Sequence, residues 1–260
     1  MQQQKQYTIL LIGETCEDTY VYGDVTRISP EAPVPVLKYE RTETSFGMSA
    51  NVKRNLESFG VFVNHITNKK LIKKTRIVHS GSNQQMIRID EDDSVDPIRP
   101  AEVRSAFLHL AYDAVVISDY DKGFLSTNDL KVFCDNFAGP VFIDTKKRDL
   151  FTTDNVIFKI NQREYDNLLE TPAPQNLIVT MGSAGCSYAN LMYPAEKVNV
   201  YDVVGAGDTF LSALVYSFLI NKDHPARLDT SIRFANKASA ISVQHYGCYT
   251  LTEEDIKKIS

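Results

Sequence analysis

Ala114-Val115-Val116-Ile117-Ser118 is a short apolar run with no alternation of polar and apolar residues, the pattern of a strand buried on both faces. Five more runs of this kind flank it: Tyr7 to Ile12, Val61 to Ile66, Pro140 to Ile143, Val156 to Ile160 and Leu177 to Thr180. Between and after them lie stretches with helical spacing: Ala50 to Phe59, Pro100 to Tyr112, Asn128 to Phe137, Asp208 to Leu219, Asp229 to His245 and a closing Glu253 to Lys258. Strand and helix in repeated alternation predict a doubly wound α/β fold with a mainly parallel sheet flanked by helices. Two regions break the order, 20–43 with Ser29-Pro30-Glu31-Ala32-Pro33-Val34-Pro35-Val36, and 75–90. Prolines are excluded from central strands, so both are expected to form a small β lid outside the main sheet. No repeat or linker divides the chain, and 1–260 is expected to be a single domain carrying that lid.

The composition narrows the function. The 260 residues are 43% hydrophobic, enough for a large core, and 28 Lys+Arg against 33 Asp+Glu give a net charge of −5. That balance offers no basic footprint for nucleic acid or an anionic membrane and favours small-molecule partners. Cys16, Cys134, Cys186 and Cys248 form no metal-type or disulfide pattern, as in a reducing compartment. Met1 to Gln6 lacks the features of a secretory leader, and no apolar run is long enough to span a membrane; a cytoplasmic protein is expected.

The chemistry is carried by Tyr201-Asp202-Val203-Val204-Gly205-Ala206-Gly207-Asp208-Thr209-Phe210, a glycine-rich turn feeding an apolar helix. Glycines let backbone approach a ligand, and the free N–H groups of a first helical turn attract an anion such as phosphate. A carboxylate at Asp208 then suits a base taking a proton from an attacking hydroxyl, although the same pattern also suits a plain capped helix.

The segment resembles the signature of the ribokinase-type (PfkB) carbohydrate kinases, in which Gly205-Ala206-Gly207-Asp208 corresponds to the anion hole and catalytic base. The likeness extends to Asn161-Gln162-Arg163-Glu164, similar to the family's Asn-x-x-Glu motif, and to Thr180-Met181-Gly182-Ser183-Ala184-Gly185, similar to its nucleotide loop. It implies a ribokinase-like fold, ATP, and Mg²⁺ organised through water by Asn161 and Glu164. Lys146, Thr180, Gly182, Gly185 and Gly207 are then expected near the nucleotide phosphates, Asn236 beside the adenine, and Asp202 at a position for K⁺ or another monovalent cation. Within the family, Ile12 to Tyr20, Tyr22-Gly23, Arg27 to Val36, Asn83 to Asp90, Ser118 to Gly123 and Asp144-Thr145-Lys146 resemble the bacterial heptose 7-phosphate kinases. The resemblance implies phosphoryl transfer to the anomeric hydroxyl of a heptose 7-phosphate, giving the 1,7-bisphosphate.

Candidate acceptor contacts are Asp18, Asn51 and, one turn later, Asn55, whose polar groups suit sugar hydroxyls. Arg88 and Lys122 are candidates for a substrate phosphate. Three departures from the family pattern stand out. Glu14 replaces the usual Asp after the first strand, Phe46-Gly47 replaces two glycines and is expected to narrow the sugar pocket, and the interval from Gly60 to Lys74 lacks a further strand, helix and strand. A kinase half alone, without the nucleotidyltransferase domain of the bifunctional enzymes, is what the resemblance leads one to expect. A homodimer through the open lid edge is expected. Another sugar or nucleoside as acceptor, and a non-catalytic binding protein of the same fold, are the alternatives.

Overall fold

The computed structural model describes residues 6–107 and 111–259. The absence of a leader read at 1–5, and 108–110 of the helix expected from Pro100 to Tyr112, lie outside the described residues. The chain runs β1 (Thr8–Gly13), β2 (Thr15–Ile28), β3 (Pro35–Met48), α1 (Ser49–Ser58), β4 (Phe62–Ile66), β5 (Ile72–His79), β6 (Gln84–Glu91), α2 (Pro100–Ala106), β7 (Ala114–Asp119), α3 (Thr127–Asn136), β8 (Val141–Thr145), β9 (Val156–Asn161) and α4 (Gln162–Tyr165). It continues through β10 (Leu177–Thr180), β11 (Cys186–Tyr188), β12 (Leu191–Tyr193), α5 (Ala206–Ile220), α6 (Arg227–Ser242) and α7 (Glu253–Ile259).

The six apolar runs all become strands of one sheet, ordered β12-β11-β10-β9-β8-β7-β1-β4. Pairing is parallel from β4 to β10, and only the β10–β11–β12 end is antiparallel. Their lack of alternation follows from burial on both sides. Ile9 and Leu11 pack with Val52 and Leu56 of α1, with Phe210 and Leu214 of α5 and with Ile232 of α6; Leu10 and Ile12 face Val103 of α2 and Leu130 and Phe133 of α3. All these side chains are nearly inaccessible to solvent, and each such burial contributes roughly 1.5–3 kcal/mol.

A second sheet, β3-β2-β5-β6, stands apart from the first. It contains both irregular regions, and its two long strands extend beyond them, β2 beginning at Thr15 and β3 ending at Met48. The proline-rich stretch makes the turn at its tip, with Ser29 donating to the Val34 carbonyl, so no proline interrupts a ladder. Asp18 therefore belongs to a lid strand, not to a loop following β1.

The crossings are unequal. Those into β4, β7 and β8 carry α1, α2 and α3, whereas β8 passes to β9 without a helix and β9 to β10 through the single turn of α4 and a short 3-10 turn, among the described residues. A cavity of about 280 Å³ opens there beside Tyr165, Pro172, Leu177 and Val179. This second abbreviation was not anticipated from the sequence. No helix among the described residues is long and apolar enough to cross a membrane.

Candidate active site

Every parallel strand of the main sheet ends on the same side, and the N-terminus of α5 is brought there from the far end of the chain, which is where ligands collect in open α/β sheets. The turn works because Gly205 adopts φ 78°, a left-handed conformation costly for any residue with a Cβ. There is also no room for one: a Cβ on Gly205 would lie 2.9 Å from the Asn51 amide nitrogen and 3.3 Å from the Cys248 Cα.

Asp208 follows in the first turn of α5, only 5% exposed. Asn51 Nδ2 donates to its Oδ2 at 2.8 Å and the Tyr120 hydroxyl to its Oδ1 at 3.1 Å. Burial raises the Asp208 carboxyl to about 6, against the pull of the Asn51 bond. A base in that range is ionised at neutral pH yet still basic enough to accept a proton. Tyr120, half-buried beside Asp208, is held well above its ordinary pKa by desolvation and by the Asp208 charge, and so remains a neutral donor. It is placed by Glu14, a fully buried residue whose carboxylate accepts from the backbone N–H of Tyr120 at 2.8 Å and of Lys122 at 3.0 Å. Glu14 thus clamps the end of β1 to the loop after β7.

Around Asp208 lies a cavity of about 130 Å³, lined by Asp119, Tyr120, Asp144, Lys146, Lys159, Asn161, Glu164, Gly205 and Gly207. Asn161 and Glu164 form a reciprocal cap on α4: the Glu164 N–H donates to Asn161 Oδ1, and the Asn161 N–H to Glu164 Oε2, each at 2.9 Å. Lys146 donates to the remaining Glu164 oxygen at 3.2 Å. These are hard oxygen donors, already oriented and partly occupied by N–H groups, a set that fits Mg²⁺ held through its waters. Among the described residues no group of three or more His, Cys, Asp or Glu is placed to enclose a metal. Thr180 is in register with Asn161 on the next strand and donates to the Ile160 carbonyl at 3.3 Å; Gly182 and Gly185 shape the turn just beyond it.

A larger cavity of about 710 Å³ lies between the lid and the loops before α5 and after α6. Tyr20, Tyr22, Tyr201 and Tyr246 line it, together with Arg54, Arg76, Asp202 and Cys248. Gly205, between Asn51 and Cys248, is where the two cavities approach each other.

The expected residues divide. Asp208, Lys146, Asn161, Glu164, Gly205 and Gly207 are brought together, with Ala206 between the glycines. Asn51 is there as well, but fully buried and bound to Asp208, so it orients that carboxylate instead of facing an open pocket. Asn55 is turned inward: its amide donates to the Asn51 carbonyl at 2.9 Å and its oxygen accepts from Thr209, because one turn further along α1 lies beneath α5. Asp18 is ion-paired to Arg76 under the lid. Arg88 sits on the outer lid strand, chelated by Asp90 at 2.8 and 2.9 Å, and Lys122 is tied to Asp93 at 2.6 Å; neither lines a cavity described above. Asp202 accepts from the N–H groups of Val204 and Gly247, joining the two loops that bound the larger cavity. Asn236 is buried, its amide donating to the Tyr193 carbonyl at 3.0 Å. Phe46 is 46% exposed and does not line the lid cavity.

Tyr120, Arg54, Arg76, Asp144 and Lys159 were not singled out as site residues for these contacts. For the last, the signal was present: a lysine inside the apolar run Val156 to Ile160 must have a buried partner.

A buried carboxylate under a glycine turn at a helix N-terminus, beside a polar cavity at the strand ends, suits a phosphotransferase with an alcohol group as acceptor. Residues 158–255 match the model described as pfkB family carbohydrate kinase. The chain carries a PfkB family domain over those residues. It is similar to the bifunctional protein HldE of a Nitratiruptor species, 29% identical over 302 residues covering 96% of this chain, and to that of a Caulobacter species, 32% identical over 307 residues covering 96%. The chain spans 64% and 62% of the lengths of these two relatives. Both alignments are longer than the 260 residues present, so the relatives carry segments that this chain lacks. Among solved structures, the fold resembles phosphofructokinase-2 from Escherichia coli in complex with potassium, with a TM-score of 0.70 at 16% identity over 98% of each chain. It also resembles Arabidopsis thaliana ribokinase complexed with ribose and ATP, with a TM-score of 0.65 at 15% identity over 98% of this chain and 99% of that one.

Proposed function

We propose that the protein transfers the γ-phosphoryl group of ATP to the anomeric hydroxyl of a heptose 7-phosphate, in the cytoplasm. The observation that carries phosphoryl transfer is Asp208, buried, held by Asn51 and Tyr120, and set beside the cavity bearing Lys146, Asn161 and Glu164. Asp208 takes the proton of the acceptor hydroxyl as that oxygen attacks. The N–H groups of Gly205 and Gly207 serve the charge that develops on the transferred phosphoryl oxygens, that of Ala206 being given to the Val203 carbonyl. Mg²⁺, when bound through water to Asn161 and Glu164, neutralises nucleotide phosphate charge; Lys146 adds a cation at the cavity mouth. Potassium dependence rests on Asp202 alone and is a separate arm of the assay.

The choice of heptose 7-phosphate is supported by the Arg27 to Val36 stretch and by similarity to the HldE proteins. The acceptor enters from the lid cavity, where Arg54 and Arg76 replace Arg88 and Lys122 as the cations facing it. A nucleoside or unphosphorylated sugar is the second reading, favoured by the four tyrosines of that cavity, whose faces suit a base or a sugar ring. ADP release with Mg-ATP and a panel of heptose 7-phosphate, hexoses, hexose phosphates and nucleosides separates the two. Heptose-dependent release is expected; release with another acceptor alone discards the heptose assignment, and silence across the panel discards catalysis.

A homodimer through the lid is part of the same proposal. Tyr39, Ile87 and Ile89 are each 46–63% exposed on the lid, and light scattering at micromolar protein giving a monomer mass would reject it.

A further inference from the structure

Lys159 is the one charged residue in the core of β9, its side chain only 5% exposed. A buried ammonium persists only where oxygen atoms meet it. Asp144, in register on β8, is ion-paired to it, and the carbonyl of Gly207 accepts from the same nitrogen at 3.4 Å. The contact also explains the second glycine of the turn: a Cβ on Gly207 would stand 3.0 Å from Lys159 Nζ. The ammonium therefore lies directly against the first turn of α5 and lines the same cavity as Asp208, Asn161 and Glu164.

The charges around that cavity make this placement consequential. Asp119, Asp144, Glu164 and Asp208 bring carboxylates to its wall, whereas its lysines are Lys146 and Lys159. The Lys146 side chain, though paired with Glu164 at 3.2 Å, is 47% exposed at the rim, whereas Lys159 is immobilised by strand, partner and burial. A fixed cation needs no reorganisation when negative charge moves toward it, so it acts more strongly than an equal charge at the rim.

We propose that Lys159, clamped by Asp144, is a positioning residue for phosphoryl transfer: it holds the Gly205–Gly207 turn through the Gly207 carbonyl and supplies the fixed positive charge beneath the transferred group. This rests on the kinase reading above. It extends that reading to a charge pair contributed by two neighbouring strands, so the anion hole is built from the sheet as well as from α5.

Lys159→Met keeps the length of the side chain and removes the charge. The expected result is a kcat lower by about a hundredfold, with KM for ATP and for the acceptor changed less than about threefold, since the charge matters most as the phosphoryl group moves. Lys159→Ala is expected to regain at least about tenfold in rate with added ethylamine, but not with the bulkier triethylamine, as a relocated ammonium would fill the vacated site. Independently of turnover, amide hydrogen exchange in the Gly205–Asp208 segment is expected to quicken by about tenfold in Lys159→Met while α6 is unaffected. A Lys159→Met enzyme within about threefold of wild-type kcat, an Ala variant indifferent to ethylamine, or unchanged exchange at the turn would each overturn the proposal. If wild-type protein turns over no acceptor, the kinase reading fails while the exchange measurement still decides whether Lys159 positions the turn. Asp144→Asn, which leaves the ammonium present but unclamped, replaces Lys159→Met should the latter not fold, and is expected to quicken exchange at the same segment; an unchanged segment overturns the proposal.

Discussion

The transfer site and the lid cavity differ in how tightly their polar groups are held. In the first, Asp208 has two named donors, Glu14 two backbone donors, and Asn161 and Glu164 hold one another. In the second, about 710 Å³ is bounded by tyrosines that are exposed or half-exposed, such as Tyr201 and Tyr246 at 61% and 64%. The exception there is the buried Asp18–Arg76 pair under the lid. In the proposed transfer site the polar groups hold one another, Asp208 and Glu14 in the interior and Asn161 and Glu164 nearer the surface. The cavity proposed to admit the acceptor has a lining that is open to change.

The sharpest way to break this contrast is Asp208→Asn, expected to lower turnover about a thousandfold in an ADP-release assay while ATP binding by calorimetry stays within a few-fold. Retained turnover would remove the base from the mechanism. Arg76→Ala acts on the other region: it leaves Asp18 buried without its cation and is expected to cost about 3 kcal/mol in urea unfolding. Among molecules still folded, the loss should appear as a raised acceptor KM and not as a lowered kcat; the reverse would mean that the lid shares in the chemistry. Asn51→Ala tests the link between the regions, with kcat expected to fall about tenfold because one hydrogen bond to the charged base is lost.

The pH profile sharpens the same point. As the proposed base Asp208 must be ionised, and burial holds it near 6, so log kcat is expected to fall with unit slope as pH drops below about 6. Asn51 donates to the ionised form and pulls the value down, with Lys159 acting in the same sense and Asp144 against it. Removing the amide in Asn51→Ala therefore moves the acid limb upward; a limb left in place would show that Asp208 is not the titrating base. The smallest effect is expected for Tyr120→Phe, a loss of a few-fold in kcat, since its 3.1 Å bond to Asp208 is the longer of the two.

Much of the fold was readable because buried parallel strands lack alternation: all six apolar runs are strands of the main sheet, most displaced by a residue or so at one or both ends. Lid strands were recognised as a separate pair of regions, but their inner ends were not, because Thr15 to Thr19 and Thr44 to Met48 carry mixed polar sequence that only pairing with one another stabilises. The one-turn crossing between β9 and β10 was missed because Asn161 to Glu164 was read for its motif, and a motif says nothing about how far the helix after it continues. Asn51 and Asn55 share a spacing that places them on one face of α1, yet they have different partners. Helical periodicity gives a face, and the packing of α1 on α5 decides which amide meets Asp208.

The order of strands and helices, the glycine turn ahead of a helix, and a carboxylate in its first turn were determined by the sequence, because each depends on residues close together in the chain. Which groups hold that carboxylate was decided by tertiary structure alone. Asn51 lies 157 positions away and Tyr120 88, and Lys159 reaches Gly207 across 48. Contacts of that range arise only when the parallel strands bring their ends to one side of the sheet and burial removes water as a competing partner.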